Sequence, residues 1–420
     1  GNGATPNATY ACCDHDALIG APGSGEGQFG VIQCLSVGGA TIYVADAGNR
    51  RIERYLLNGT PVIPPLTGNA GKVPGAFLFP FDVYWTSDGF LYVSDGPDDG
   101  INIKRVFKLN LSSDTIAATV YSGMDRCLGV GVDRSGDVFV SFQNKTPTPY
   151  ATPRTDHVVK FRESMPGSGT YSAAVSWGEL DGPNDIVVSS DGVTVWVTDT
   201  MNNQVLQYLE TPPESDRYLL DRTVVASGGQ AAGYVDWPYQ IARDFRGYFY
   251  VTDIWYRHQV FDSRWNFLYQ CYPPPSLGNN VVGIGVDSDG FAYVGVSEPA
   301  GSGVGIDKVR PCAVVPPPAN STATPTPATS PLSGSECSPD DQPCYSYPNP
   351  VRSGIMRVYY EACSTGKIDL RIYNTASDIV LKQSQTVQTG PNIVDVDLRR
   401  MAVGVYYYQL DWAGVHLRGK

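Results

Sequence analysis

The stretch "IYVADAGNRRIERY", residues Ile42–Tyr55, contains the pattern that decides the fold. An apolar run ends in Asp46, the chain turns at Gly48-Asn49, and a second alternating run follows. Val, Ile and Tyr are residues that half-buried sheet surfaces prefer, and Gly next to Asn favours a turn. The stretch therefore predicts two antiparallel strands joined by a short connection.

The same pattern occurs six times along the chain. Each copy has an aromatic residue directly before Val, at Tyr43, Tyr92, Phe139, Trp196, Tyr250 and Tyr293. The mean step between these aromatic markers is 50 residues. A period of roughly 40–50 residues with several short strands in each unit is typical of a β-propeller. The six copies predict an all-β fold with a six-bladed β-propeller over residues 20–312.

A glycine-containing turn precedes five of the six aromatic markers. The turns are Asp88-Gly89, Ser135-Gly136, Asp191-Gly192, Arg246-Gly247 and Asp289-Gly290. Glycine adopts the positive φ of a tight hairpin without steric cost. Because another apolar run lies before each turn, every unit is predicted as strand, hairpin, strand, loop, strand.

The units resemble the NHL repeat. The resemblance rests on Gly25-Glu26-Gly27-Gln28-Phe29, Tyr43-Val44-Ala45-Asp46 and Gly48-Asn49-Arg50-Arg51-Ile52. Three other copies keep the aspartate at the end of the strand, and we place Ser141 and Gly295 in that position in the third and sixth copies. The resemblance implies a six-bladed propeller, but a fold of this kind hosts many activities.

The repeated aspartates have a structural interpretation. They are Asp46, Asp95, Asp199 and Asp253. An Asp directly after a strand accepts hydrogen bonds from loop N–H groups or from a nearby Arg, and thereby fixes a corner of the blade. We therefore expect blade-corner aspartates here, and no calcium site.

Composition limits the possible partners. The chain has 420 residues, a formal net charge of −12 and an isoelectric point of about 4.8. Nucleic acids and anionic membranes attract basic patches, so the acidic balance disfavours both as partners. No apolar stretch of the length required for a transmembrane helix occurs in the sequence.

Nine cysteines without a C-x-x-C pair indicate disulfides in an oxidising compartment. We expect Cys12 or Cys13 to pair with Cys34, Cys271 with Cys312, and Cys337 with Cys344. The odd number leaves at least one thiol unpaired or paired between chains.

Five N-x-[ST] sequences fall in predicted loops or tails, where a glycan could be carried. The candidate glycosylation sites are Asn7, Asn58, Asn110, Asn144 and Asn320.

The chain changes character after the propeller. Residues 313–344 are rich in Pro, Thr and Ser and predict an extended linker. Residues 345–420 alternate between apolar and polar side chains in five or six short runs, which predicts a small Ig-like β-sandwich. At the other end, residues 1–19 are predicted as an extended N-terminal arm.

The C-terminal region resembles the Ig-like domains that end many secreted bacterial proteins. The resemblance rests on Tyr347-Pro348-Asn349-Pro350, Ile368–Tyr373 and Gly404–Tyr408. Such domains include the sorting domains of type IX secretion and the FlgD-type fold, and they imply a secreted or cell-surface protein. They usually continue past the equivalent of His416–Lys420 with a last apolar strand, so we expect an open sheet edge there that residues 1–11 could fill.

Catalytic motifs are sparse. The four histidines, His15, His157, His258 and His416, do not recur at one blade position, and no G-x-S-x-G motif occurs. We therefore expect a non-catalytic protein without a cofactor. Loop aromatics are better candidates for ligand contacts on a binding face, because Tyr and Trp are enriched where proteins touch partners. These are Trp237, Tyr239, Trp255 and Tyr256.

Three functions fit the sequence, and we favour the first. The first is a secreted structural or adhesive protein that associates head to tail with copies of itself, as a subunit of an extracellular filament or surface assembly. The second is a monomeric propeller that binds a glycan or peptide and is anchored through its C-terminal domain. The third is a metal-dependent lyase or hydrolase with its site on the propeller axis.

Overall fold

The computed structural model divides the chain into two compact units, with the division near residue 313. In the first unit it describes residues 13–68, 77–96, 103–143, 156–212, 215–226, 229, 231–244, 246–254, 256–297 and 303–310. In the second unit it describes the seven strands given below. Within these ranges the only helical element is a short 3-10 turn at Thr200–Asn202, and no helix is long and apolar enough to cross a membrane.

The first unit is a β-propeller, as the sequence predicts. Its described residues form six antiparallel sheets, which we call blades one to six. The strands are β2 (Ile32–Gly38), β3 (Thr41–Asp46) and β4 (Arg51–Leu56) in blade one; β5 (Pro80–Trp85), β6 (Phe90–Asp95), β7 (Lys104–Asn110) and β8 (Thr115–Gly123) in blade two; β9 (Arg126–Val132), β10 (Val138–Gln143), β11 (Asp156–Glu163) and β12 (Tyr171–Leu180) in blade three; β13 (Pro183–Val188), β14 (Thr194–Asp199), β15 (Gln204–Glu210) and β16 (Tyr218–Val225) in blade four; β17 (Pro238–Arg243), β18 (Phe249–Asp253), β19 (Arg257–Phe261) and β20 (Phe267–Cys271) in blade five; and β21 (Val281–Val286), β22 (Ala292–Ser297), β23 (Val304–Val309) and β1 (His15–Ile19) in blade six.

The first strand of each repeat is the innermost strand of its blade. Neighbouring inner strands contact one another, and β21 of blade six contacts β2 of blade one, which closes the ring. β1 pairs antiparallel with β23 and is therefore the outermost strand of blade six. His15–Ile19, which the sequence assigned to an extended arm, thus belongs to a sheet, because the last blade takes its fourth strand from the start of the chain.

The hairpins between the first two strands of each repeat have the predicted geometry. Their glycines all have positive φ: 91° at Gly89, 84° at Gly136, 78° at Gly192, 80° at Gly247 and 86° at Gly290. We call the end of the propeller that carries these hairpins the hairpin face, and the opposite end the loop face.

The hydrophobic core lies between adjacent blades. Tyr92 and Val106 of blade two, for example, pack with Val138 and Val140 of blade three. All four side chains are at most 1 % exposed. Middle strands are covered on both sides, which explains why the aromatic markers sit in short runs of consecutive apolar residues.

Strand register corrects one sequence alignment. Asp95 lies opposite Pro80 in blade two, and the matching pairs are Phe142 with Cys127 in blade three and Val296 with Val281 in blade six. Phe142 and Val296 therefore take the place of the repeated aspartate. Ser141 and Gly295, which we had placed there, lie one residue earlier on the strand.

The cysteine pairing also differs from expectation. Cys13 is bonded to Cys271 of β20, whereas Cys34 and Cys127 are free and buried. The expected bonds from Cys34 and from Cys271 to Cys312 are therefore wrong. The reason is the position of β1, which brings the start of the chain to the outer part of the propeller beside blade five. Cys12, Cys312, Cys337 and the Cys344 side chain lie outside the described residues.

The second unit consists of two antiparallel sheets. Its strands are β24 (Cys344–Tyr347), β25 (Ile355–Ala362), β26 (Gly366–Tyr373), β27 (Ile379–Val387), β28 (Gly390–Asp397), β29 (Tyr407–Trp412) and β30 (Val415–Gly419). The sheet orders are β24-β25-β28 and β27-β26-β29-β30. Ile368, Leu370 and Ile372 alternate with more exposed neighbours along β26 and are at most 1 % exposed, as a sandwich core requires.

Candidate functional site

Six residues lie at one level around the propeller axis. In every blade, the residue after the aromatic marker pairs with a residue on the inner strand, as Val93 pairs with Val83 in blade two. The residue just before that inner-strand partner, Asp82 in this blade, belongs to the set. We call this set the axial ring; its members are Cys34, Asp82, Gly129, Asp185, Gln240 and Gly283. No single residue type occupies all six positions, and four of the six residues have a polar side chain or a thiol.

Three of the polar ring members hydrogen-bond to the blade that follows their own. Oδ2 of Asp82 accepts the N–H of Val130 at 2.7 Å, and Oδ2 of Asp185 accepts the N–H of Ile241 at 2.8 Å. Oε1 of Gln240 accepts the N–H of Ile284 at 2.5 Å. The inner edge of a blade has no strand partner, so its buried N–H groups need acceptors of this kind.

Blade one contributes the thiol of Cys34 to the ring. Sγ of Cys34 donates to Oδ1 of Asp82 at 2.5 Å, and Nε2 of Gln240 contacts Sγ and donates to the carbonyl of Leu35 at 3.2 Å. Glycine is required at one of the two remaining positions, because a Cβ on Gly129 would lie 2.5 Å from Cα of Asp185. The ring is therefore closely packed across the axis.

Burial controls the charge of the ring. Asp82 and Asp185 are only 3 % and 5 % exposed. Loss of solvation raises the pKa of Asp82 to about 6 and raises the pKa of Asp185 well above its usual range, with the Asp82 charge adding to the effect on Asp185. Burial and the neighbouring Asp82 likewise raise the pKa of the Cys34 thiol. The pair keeps a proton at pH values where exposed carboxyls have lost theirs.

Hydroxyl groups on the middle strands form a second set of ties between blades. Oγ of Ser94 accepts the N–H of Asp82 at 3.0 Å and donates to the carbonyl of Leu128 in the next blade at 2.6 Å. Ser141 makes the same two contacts with Gly129 and Pro183, each at 2.9 Å. This explains Ser141, which is a tie between blades and does not replace the corner aspartate.

A chamber of about 780 Å³ lies on the hairpin side of the axial ring. Its floor includes Asp82, Asp185 and Gln240, and its wall includes Tyr84 and Trp85. Exposed hairpin serines line its mouth, at Ser87, Ser135 and Ser190. This volume is within the range of roughly 300–1,000 Å³ that small-molecule sites occupy.

The axis is filled on the other side of the ring. The rings of Phe81 and Tyr239 lie 6.0 Å apart, and the Tyr239 hydroxyl donates to Oε1 of Gln33 at 3.0 Å. The Arg126 guanidinium lies 5.3 Å from the centre of the Phe81 ring. A cavity of only about 10 Å³ remains there, so the chamber is a blind pocket that opens at the hairpin face.

Acidic side chains in the chamber wall are already engaged in the hairpins. Oδ1 of Asp133 accepts the N–H groups of Ser135 at 2.8 Å and Asp137 at 3.0 Å. Oδ1 of Asp244 accepts the N–H of Tyr248 at 2.9 Å. The wall also carries the Trp85 indole and several basic residues, among them the exposed Arg134. The chamber therefore offers an aromatic surface, hydroxyls and cationic donors to a polar molecule.

The predicted corner aspartates lie at the loop-face ends of the middle strands, outside the chamber. Asp46 accepts the N–H of Gly30 at 2.9 Å, Asp95 that of Phe79 at 2.8 Å and Asp199 that of Asp181 at 2.7 Å, while Asp253 accepts Nε of Arg257 at 2.6 Å. All four are at most 1 % exposed. Burial raises the pKa of each, to about 6 for Asp253. Their contacts are those of a structural corner.

The four predicted binding-face aromatics do not share one environment. Tyr239 packs on the axis, whereas Trp237 is 38 % exposed on the loop face. The Tyr256 hydroxyl donates to Oδ2 of Asp236 at 2.6 Å. Trp255 lies outside the described residues. Of the described members, Trp237 presents the most open aromatic surface.

The histidines do not form a metal centre in the described residues. Nδ1 of His15 lies 2.8 Å from Oδ2 of Asp307. His258 is 2 % exposed, and burial together with the nearby His15 lowers its pKa to about 4. Across the described part of the chain, no group of three or more His, Cys, Asp or Glu side chains is arranged to hold a metal ion.

Two of the candidate glycosylation sites can be placed. Asn58 is exposed in a turn where its Oδ1 accepts the N–H of Thr60 at 3.0 Å, and Asn110 is half-buried with its Oδ1 accepting the N–H of Ser112 at 2.9 Å. Asn7, Asn144 and Asn320 lie outside the described residues. Glycosylation at these sites stays a prediction.

Solved structures share the propeller fold at low sequence identity. An auxiliary nutrient binding protein from Bacteroides ovatus matches with a TM-score of 0.53 and 14% identity, over 72% of this chain and 77% of that protein. An auxiliary nutrient binding protein from Bacteroides thetaiotaomicron matches with a TM-score of 0.51 and 12% identity, over 70% and 75% of the two chains. No curated protein matches the sequence.

The expectation of a non-catalytic protein is wrong as an inference from this architecture. A gluconolactonase from Xanthomonas campestris also matches, with a TM-score of 0.48 and 14% identity, over 74% of this chain and 99% of that enzyme. Likeness at this level concerns the fold alone, and the fold includes enzymes. The propeller therefore gives no ground for calling the chain non-catalytic.

The C-terminal unit matches a family model. Residues 346–416 match the secretion system C-terminal sorting domain, in agreement with the resemblance seen in the sequence. The matched residues lie within the second unit, and the propeller is outside the match. This sorting domain marks the protein for export by the type IX secretion system to the cell surface or the extracellular space.

Proposed function

We propose that this exported propeller binds a small, polar, uncharged solute such as a mono- or oligosaccharide in the chamber on its hairpin face. The observation that carries the proposal is the blind chamber of about 780 Å³, which is closed by the axial ring and open between the hairpins. A site of this size can enclose most of a small ligand.

The wall chemistry supports an uncharged ligand. The wall carries charges of both signs, since acidic residues such as Asp133 and Asp244, which already accept backbone N–H groups, occur together with basic residues such as the exposed Arg134. Trp85 supplies an aromatic face, and the mouth supplies the hydroxyls of Ser87, Ser135 and Ser190. Aromatic faces beside hydrogen-bonding groups suit sugars, whose rings have apolar faces and hydroxyl rims.

The comparisons support the same class of function. The two Bacteroides proteins that share the fold are described as auxiliary nutrient binding proteins. Export to the cell surface or the medium places a solute-binding protein where nutrients are found. The filament role predicted from the sequence gains no comparable support, and the described residues supply no ligand set for the metal-dependent alternative.

Calorimetric titration of the full chain with neutral mono-, di- and trisaccharides tests the proposal. Ser190→Trp places a large side chain at the chamber mouth, and we expect it to weaken saccharide binding at least tenfold. Ser113→Trp is the control, because Ser113 is an exposed residue between β7 and β8 that does not line the chamber. Binding that survives Ser190→Trp unchanged would show that the chamber is not the site, and failure of the whole panel would rule out this ligand class.

A further inference from the structure

Trp237 occupies a backbone position that suits glycine. Its φ is +57°, in the left-handed region that L side chains rarely adopt. The residue directly precedes Pro238, which lies opposite the corner Asp253. In the neighbouring blade four, the residue directly before Pro183, opposite the corner Asp199, is Gly182 with a φ of +63°. Blade five thus has tryptophan where blade four meets the same backbone requirement with glycine.

The backbone of Trp237 is fixed on both sides. Its N–H donates to Oδ1 of Asn203 at 2.6 Å, and its carbonyl accepts the N–H of Ile254 at 3.3 Å. Burial accounts for only part of the indole, since Trp237 keeps 38 % of its surface exposed. A lone exposed aromatic needs no explanation, but an exposed tryptophan on a strained backbone does, and such strain concentrates at functional sites.

Two residues next to Trp237 supply a donor and an acceptor: Asn203, which contacts its backbone N–H, and Asp236, which precedes it in the chain. Asn203 uses its Oδ1 for the Trp237 N–H, which leaves its Nδ2 amide as a donor. Asp236 uses Oδ2 for the Tyr256 hydroxyl, which leaves Oδ1 as an acceptor. An exposed aromatic face with a donor and an acceptor on neighbouring residues suits a sugar ring, whose hydroxyls donate and accept.

From this arrangement we propose that Trp237 is the stacking platform of a carbohydrate-binding site on the loop face, and that its ligand is a neutral polysaccharide chain. The site is separate from the chamber, because the inner strand β17 runs from Trp237 at the loop face to the hairpin face. The formal net charge of −12 and the adjacent Asp236 disfavour acidic polysaccharides. A surface platform of this kind suits a long chain, which a blind pocket cannot enclose.

Affinity gel electrophoresis of the full chain tests the site. The gels contain hydroxyethyl cellulose, xylan, galactomannan or dextran, with alginate as the acidic probe. We expect at least one neutral polysaccharide to retard the wild-type protein and alginate to retard it less. If no neutral polysaccharide retards the protein, or if alginate retards it most, the proposal is overturned.

Trp237→Gly is the decisive variant, because glycine accepts the left-handed backbone that Gly182 shows in blade four. We expect its melting temperature to equal or exceed that of the wild type, while its affinity for the polysaccharide falls at least tenfold. If glycine loosens the loop and lowers the melting temperature, Trp237→Asn replaces it, since Asn also tolerates this conformation. Retained affinity in a folded Trp237 variant would overturn the proposal.

Two controls locate the effect. Tyr272→Ala removes another exposed aromatic, 51 % exposed, and should leave polysaccharide binding within twofold of wild type. An equal loss in Tyr272→Ala would remove the special role of Trp237. Ser190→Trp should also leave polysaccharide binding intact, so the loop-face site and the chamber succeed or fail independently.

Discussion

Asp82 and Asp185 are two buried carboxyl groups in the axial ring, close enough for their negative charges to repel one another. Their oxygens accept N–H groups from Val130 and Ile241. An amide oxygen can accept such a bond equally well, and Gln240 does so in blade five. The carboxyl charge is therefore not needed for the ties between blades, and in this buried position it costs solvation energy.

Asp185→Asn tests this cost through the pH dependence of stability. Both carboxyls have raised pKa values in the folded chain, to about 6 for Asp82, so between about pH 4 and pH 6 the folded chain binds more protons than the unfolded chain. The free energy of unfolding contributed by the pair is therefore highest at low pH and falls as pH rises through this window. With one carboxyl neutral at every pH, we expect a smaller fall with pH. Because both oxygens of Asp185 accept N–H groups, of Ile186 at 2.7 Å and of Ile241 at 2.8 Å, and an Asn side chain has a single oxygen, the variant also loses one of these bonds at every pH.

Urea denaturation at pH 4, 5, 6 and 7 measures this effect. Asp289→Asn is the control, because it changes an exposed hairpin carboxyl and should follow the wild-type curve. Other buried carboxyls shared by all three proteins contribute the same background slope. An Asp185→Asn protein whose curve runs parallel to the wild type would contradict the expectation.

At the scale of elements, two hairpin glycines allow two costs of a Gly→Ala substitution to be measured separately. One is the cost of the left-handed backbone, and the other is the cost of a steric clash. Gly136 and Gly192 have similar φ values of 84° and 78°, but a Cβ on Gly136 would meet nothing within 4 Å, whereas one on Gly192 would lie 2.5 Å from Oδ2 of Asp133. We expect Gly136→Ala to cost about 1 kcal/mol, the price of the left-handed backbone alone. Gly192→Ala should cost about 1–2 kcal/mol more, because it also displaces a carboxylate that organises the neighbouring hairpin.

Guanidinium denaturation of the two variants gives both values in one experiment. Because the two glycines have similar φ values, the difference between the two losses of stability measures the steric contact with Asp133. Equal losses would show that Asp133 moves aside freely, and a larger loss in Gly136→Ala would contradict the packing of these hairpins.

These hairpins were predictable from sequence, and the axial ring was not. Asp191-Gly192 carries its own turn chemistry, so a local pattern identifies it. Ring members such as Cys34, Asp82 and Gly129 share neither residue type nor local pattern, and only the strand register shows that they lie at one level. The same lack of register information explains why Ser141 was placed at the corner position. The chamber follows from the ring, and the Trp237 backbone follows from a φ value that no sequence pattern indicates.

At the scale of the whole molecule, the propeller depends on joining the two ends of its unit. β1 contributes the outer strand of blade six, and Cys13 just before it is bonded to Cys271 of blade five across a sequence separation of 258 residues. Spacing along the chain suggested shorter cysteine loops, since it contains no information on how the circle of blades closes. In space, the closing strand places these distant cysteines together.

The closing bond should make the stability of the propeller depend on redox conditions. A bond across so long a loop restricts the unfolded chain strongly, and we expect its loss to cost about 2–5 kcal/mol. β1 would then be held only by its pairing with β23 and by contacts such as His15 with Asp307, so the blade six edge should open first.

The measurement is the melting temperature of the wild type and of the Cys13→Ser, Cys271→Ser double variant, each with and without dithiothreitol. We expect the reductant to lower the melting temperature of the wild type toward that of the double variant. The reductant should change the double variant much less, and whatever shift remains reports on other cysteines. A double variant as stable as the oxidised wild type would show that strand pairing alone closes the propeller.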